Sequence, residues 1–268
     1  MTPLELMLLG SVAGAGAGLL AGLVGIGGGI VVVPVVYHTL ISSGLSGNEA
    51  AHVAVATSLA AIMPAAIVSS VAHWRAGNTD IAFLRDWGPG IAIGVIAAQL
   101  AAPYLRGAVL TGAFAVFCLV VAARFAAPGR LKPRFEQQPN TRFCHLAGLG
   151  IGLVSGFAGV GGGILTNVAM ALTGMPMHRS IGRAAAAGVA VGLPATIVAA
   201  LGPISHQSGQ LGSINLPIWA CIAPAQAAAA WIGARLAQRI GAENLSRLFA
   251  AALLVTGVAM LRSSLASP

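Results

Sequence analysis

Residues 18–30 read GLLAGLVGIGGGI, and residues 152–164 read GLVSGFAGVGGGI. Laid over each other, the glycines coincide: Gly18 with Gly152, Gly22 with Gly156, Gly25 with Gly159, and Gly27, Gly28 and Gly29 with Gly161, Gly162 and Gly163, always 134 positions apart. Gly14/Gly148 and Gly16/Gly150 carry the match backwards. A register kept over so many positions marks a duplicated unit. Further on the echo weakens and shifts. HVAVATS at 52–58 aligns with HRSIGRA at 178–184, and 110–114 echo 245–249.

Working outward, both copies sit in apolar sequence. Hydrophobic residues make up 57% of the chain and charged residues 7%; an ordinary soluble domain carries about 25% charge. Mean hydropathy is +0.89. A chain so poor in charge cannot present a water-compatible surface, so lipid is its expected solvent. A span needs about 20 apolar residues, which predicts eight: 4–25, 51–73, 88–105, 108–126, 144–160, 181–201, 215–236 and 243–262. Two shorter runs, 30–41 and 164–173, each follow a triple glycine and are too short to cross as straight helices. The opening stretch lacks a basic flank and a cleavage site, and reads as a retained span.

The net charge of +8 does not point to nucleic acid, because the basic residues sit at the ends of apolar runs, as membrane proteins place them. Cys118, Cys144 and Cys221 are widely spaced and make neither a disulfide framework nor a zinc pattern. No cofactor or metal is expected.

The expected architecture is an all-α integral membrane protein of two repeats, residues 1–127 and 144–268, joined by a basic linker over 128–143. Each repeat has a glycine-broken first unit followed by three helices. Putting the basic linker in the cytoplasm places 74–86, 174–180 and 236–246 inside and the uncharged 202–214 outside; Arg106 and Arg262 are exceptions. Each repeat then has an odd number of segments, so the two have opposite orientation, a plan common among secondary transporters. A multi-pass inner-membrane location follows; a homodimer is left open.

Three adjacent glycines in mid-bilayer leave backbone groups unpaired, which is tolerated only against protein or a wet cavity. Such a break also starts a new helix, whose free N–H groups and dipole favour an anion. The expectation is that Gly27–Gly29 and Gly161–Gly163 face each other near the midplane and bind an anion through the backbone. Gly14, Gly16, Gly18 and Gly22 are expected to serve close helix packing instead.

Polar residues inside spans are candidates for function. Thr57 and Ser58 can donate to an anion, or can bond back to their own helix. Thr166 and Asn167 follow the second break and can complete its nest. Arg183 falls where Thr57 falls in the other repeat; its guanidinium suits an oxyanion, or it snorkels to the headgroups. His52 and His178 match across the repeats and can carry a coupling proton or simply end helices. Glu49 joins them as a proton-coupling candidate or serves as a favourable first-turn charge. Asp80 and Asp86 read as loop residues. Trp74, Trp87 and Trp219 are expected at the interface and Trp231 in the packing, while Pro64 and Pro194 are expected to kink equivalent helices.

GLVGIGGGIVVVP (22–34), HVAVATSL (52–59), AHWRAGNTD (72–80), GFAGVGGGI (156–164) and GMPMHRSIGR (174–183) resemble the TauE/SafE family of sulfite and organosulfonate exporters over essentially the whole chain. The resemblance implies a permease of about eight helices moving small sulfur-containing oxyanions. Gly182-Arg183-Ala184 departs from the Gly-Thr-Ser-like turn frequent in the family. That departure either favours a more highly charged anion or marks a lost half-site. A passive anion channel is the alternative. An intramembrane serine protease is disfavoured, since Ser155 lacks the spacing to an upstream glycine and His206 falls in a loop.

Overall fold

The computed structural model describes residues 3–25, 27–79, 81–126, 140–175, 177–202, 209–237 and 242–266. Ten α-helices run through them: α1 Pro3–Val24, α2 Gly29–Ser42, α3 Gly47–Arg75, α4 Ile81–Ala101, α5 Gly107–Ala126, α6 Thr141–Ala158, α7 Gly163–Leu172, α8 Met177–Leu201, α9 Leu216–Leu236 and α10 Ala242–Ala266. A two-residue hairpin, β1 Gln210–Leu211 with β2 Ile214–Asn215, precedes α9. The first five helices and the last five follow one order, with a short helix second in each set.

Local chemistry sets the ends. Ser46 caps α3 by accepting from the Glu49 N–H at 3.3 Å, and its hydroxyl lies 3.0 Å from the Glu49 carboxylate, to which it donates. Asn140 caps α6 through the Phe143 N–H at 2.8 Å, and Asn215 caps α9 through Ile218 at 3.0 Å. Pro64 and Pro194 lie inside α3 and α8.

Among the described residues, five helical stretches are long and apolar enough to cross a membrane: Glu5–Leu23, Gly47–Arg75, Ile81–Tyr104, Arg179–Leu201 and Leu216–Leu236. The other three expected spans are helical too. Apolar stretches in two of them are shorter, at Gly107–Ala123 and Leu253–Leu265, and α6 begins with Arg142 and His145 in its first turns. Several boundaries move. The expected 74–86 loop is shorter than read, because α3 runs on to Arg75 and α4 begins at Ile81. Asp86 therefore stands on a helix, 3.0 Å from the Arg85 Nε. The linker's last residues, from Thr141, already belong to α6. Its residues 128–139, like Asp80 and His206, lie outside the described ones.

Glycine seams hold the bundle. Along α1, Gly14, Gly18 and Gly22 meet the backbone of Ile222, Gln226 and Ala230 in ascending order, so α1 and α9 run parallel. Along α6, Gly148 and Gly152 meet Trp87 and Ile91 backbone, and Gly156 meets the Ala98 side chain, so α6 runs parallel to α4. Each set's first helix thus lies on the other set's fourth. Equivalent helices pack on each other antiparallel: Gly188 and Gly192 of α8 descend past Ala66 and Met63 of α3, and Gly257 of α10 meets Cys118 of α5 while Gly112 meets Ser264. The expected packing role holds for Gly14, Gly18 and Gly22 but not for Gly16. A Cβ there would have nothing within 4 Å, as also at its counterpart Gly150.

Outside the seams many apolar side chains are exposed. Met7, Leu8 and Val12 of α1, Ile93 and Leu100 of α4, and Val116 and Val120 of α5 are exposed, as a lipid-facing surface requires. Two tryptophan expectations reverse. Trp87 is buried and stacked on Phe83 at 5.9 Å. Trp231 is exposed, with the Arg235 guanidinium 3.5 Å over its ring.

Candidate functional site

The two breaks meet. After α1, Gly25, Gly27 and Gly28 take left-handed φ values of 71°, 84° and 73° before α2 begins at Gly29. After α6 only Gly159 does so, at 68°. The two turns are therefore not copies in detail. A Cβ on Gly27 would lie 3.0 Å from the Gly161 Cα; one on Gly29 would lie 2.5 Å from the Gly159 carbonyl oxygen and 2.9 Å from the Val160 Cα. The backbones of the two turns touch, and side chains there would force them apart. A Cβ on Gly162 would lie 3.0 and 3.1 Å from the Ile151 and Val191 side chains, and Gly163 begins α7.

The surroundings repeat across the duplication. A Cβ on Gly25 would meet Ile181 O at 2.7 Å, and one on Gly159 would meet the Val55 Cα at 3.1 Å. Residues 55 and 181 are 126 apart, the offset that pairs 52–58 with 178–184. Ser58 and Ala184 pair at the same offset and sit against Gly159 and Gly25 respectively. Only serine supplies a donor.

Side chains complete the freed carbonyls. Ser58 Oγ donates to Gly159 O at 2.8 Å, Gln226 Nε2 to Gly27 O at 3.0 Å and Gln99 Nε2 to Gly156 O at 2.9 Å. All three donors are buried, as backbone polar groups inside an apolar medium demand. The two helix starts bring the positive ends of two dipoles to one junction. At the second start, Gly161 O accepts from the Gly163 N–H at 2.5 Å.

Of the other expected residues, Thr57 is fully buried but looks away from the junction, its hydroxyl accepting from the Asn215 N–H at 3.0 Å. Neither Thr57 nor Ser58 bonds back to its own helix in these contacts. Thr166 is fully buried in α7 with no hydrogen-bond partner for its hydroxyl; Asn167 follows it, half-buried.

Arg183 lies elsewhere. It lines a cavity of about 130 Å³ with Phe83, Asp86, Cys144, Met170 and Thr173. Its guanidinium is 5.7 Å from the Phe83 ring centre and 3.6 Å from Met170 Sδ. It is therefore not brought together with the glycines.

His52 is half-buried, with Nδ1 2.7 Å from Asn48 O and Nε2 3.0 Å from Ala102 O. A neutral ring can donate to only one of these. Glu49 is exposed, its carboxylate accepting from the Ser46 hydroxyl. The His178 side chain lies outside the described residues. Gln99 and Gln226 escaped the sequence reading. The signal was an amide inside each of two apolar runs, which deserved the suspicion given to hydroxyls.

A family profile described as "Sulfite exporter TauE/SafE" matches residues 11–260. The chain belongs to the TauE/SafE family. Two relatives match this TauE/SafE protein nearly end to end. A "Probable membrane transporter protein" of Haemophilus influenzae is 27% identical over 95% of this chain and 97% of its own length. Another so described, from Methanocaldococcus jannaschii, is 26% identical over 91% of each. No solved structure matches. This TauE/SafE protein is a multi-pass membrane transporter.

Proposed function

We propose that the protein is a secondary transporter that exports small sulfur-containing oxyanions, such as sulfite or organosulfonates, across the inner membrane. The observation that carries this reading is the contact of Gly27 with Gly161, which sets two helix N-termini against each other at one buried junction. Backbone N–H groups bind an oxyanion without a buried cation, and an inside-negative potential already favours anion exit. In the proposed site the glycines 27–29 and 161–163 supply backbone, Ser58 positions the second turn, and Thr166 with Asn167 flanks α7. Arg183 gathers anions in the neighbouring cavity, and Thr57 anchors the hairpin end of α3.

The antiparallel pairing of α3 with α8 and of α5 with α10 supports two repeats of inverted orientation, divided at the linker. An anion held between them would be exposed alternately to each side. Proteoliposome uptake of radiolabelled sulfite, with sulfate and a small organosulfonate as competitors, tests the reading. Saturable uptake with counterflow is expected. Flux without saturation or counterflow would make the protein a channel, and no flux of any sulfur oxyanion would sink the substrate class.

A further inference from the structure

Gln226 has its hydrogen bonding half finished. It projects from α9 onto the first break, fully buried, with Nε2 bonded to Gly27 O. The same nitrogen would be 2.7 Å from a Cβ on Gly28, so the amide lies close against the glycine backbone. Its Oε1 is buried and has no hydrogen-bond partner. Rotating the amide would not cure this, because the Gly27 carbonyl would then lose its donor.

An amide oxygen only accepts. It offers nothing to the charged oxygens of an anion and repels them. Beside it, however, α2 begins, and a helix start favours negative charge. One kind of ligand meets both demands: an anion that still carries one O–H. Its charged oxygens face the N–H groups and its hydroxyl donates to Oε1.

We infer that the site takes a hydrogen oxyanion, here hydrogensulfite, in preference to the sulfite dianion or an organosulfonate, and that Gln226 Oε1 reads the hydroxyl. Gln226 is then a specificity-determining residue. This rests on the anion-transport reading and narrows it: a simple alkylsulfonate has no such proton at neutral pH, and a dianion leaves Oε1 facing charge. A site built around a hydroxyl discriminates strongly against analogues lacking it, since its own acceptor is otherwise left unpaired.

The test uses the full chain in proteoliposomes, with sulfite uptake measured at a series of pH values through neutrality. For wild type, KM in total sulfite should rise as the hydrogensulfite fraction falls, and KM in hydrogensulfite should stay constant. Gln226→Leu should raise KM at the acid end about tenfold and flatten the pH dependence. Gln226→Lys keeps a donor for Gly27 O but has no acceptor, and should move the preference toward the deprotonated forms. A wild-type KM that follows total sulfite, or methanesulfonate competing as well as hydrogensulfite, would overturn the inference while leaving transport intact. Melting of the detergent-solubilised protein separates the two readings if wild type moves no sulfur oxyanion. Hydrogensulfite and hydrogencarbonate should then stabilise wild type more than methanesulfonate or nitrate does, and Gln226→Leu should lose the difference. Equal shifts from all four anions would overturn the inference as well.

Discussion

The Ser58 hydroxyl donates to the Gly159 carbonyl across 101 positions of chain, fastening α3 to the turn between α6 and α7. Ser58→Ala leaves that buried carbonyl unpaired. The expected loss is about 1 kcal/mol of stability, between the full cost of an orphaned acceptor and the smaller values found in membranes. Unfolding in mixed micelles measures it. Ser58→Thr, which keeps the hydroxyl, should recover part of the loss.

Gly29 and Gly16 make a matched pair. Gly29→Ala sets a methyl against the backbone of Gly159 and Val160, which has no rotamer to escape into. It should cost roughly 1–3 kcal/mol and abolish sulfite uptake. Gly16→Ala meets nothing within 4 Å and should change stability by less than about 1 kcal/mol, in the stabilising direction if helix propensity decides. Melting and uptake on both variants check the contrast.

Arg183 stands in its own cavity, so its loss should differ from a lesion at the breaks. Arg183→Ala should lower uptake several-fold at low sulfite and leave the maximal rate near wild type, because a cation outside the binding junction raises local anion concentration without entering the transport step. Arg183→Lys should restore part of the effect, and more salt should shrink the difference between wild type and alanine. A fall in maximal rate alone would instead put the guanidinium at the transport step.

His52 bridges Asn48 O and Ala102 O, while Asn48 Oδ1 accepts from the Gly107 N–H at 2.6 Å. The start of α3 is thereby tied to the turn between α4 and α5. Breaking the tie with His52→Leu should cost about 1 kcal/mol. A coupling proton on His52 predicts that His52→Gln loses stimulation by a pH gradient yet keeps sulfite counterflow. Retained stimulation would confine the residue to the structural tie.

The glycine register made the duplication, both short helices and the meeting of the breaks legible, because a backbone that must approach another backbone has one residue to use. Ser58 was legible only as a hydroxyl inside a span; its bond to Gly159 O, made neither to an anion nor back to its own helix, was not. Gln226 was not, since an apolar window averages a single amide away and only its place against Gly27 shows its use. Arg183 was visible as a charge, but its direction was not. Which way a side chain leaves a helix depends on what packs beside it, here Phe83 and Met170. Trp87 and Trp231 were misjudged likewise: nearness to a span's end says nothing about which face a ring takes.

The parallel pairing of α1 with α9 bears on how the protein is made. Gly18 of α1 finds its seat on Gln226, and Gly27 O receives its donor from the same residue, 199 positions later. At about 5–20 residues per second of synthesis, the first helix waits roughly 10–40 s for its partner. During that interval its notched face and the broken turn behind it are open to whatever else the membrane holds. Of the two glycine seams, that of α1 thus stays open longer, since α4 is already made when α6 arrives. Shielding by an insertion chaperone would matter most there, and a variant that slows the delivery of α9 would be degraded before it could fail to transport.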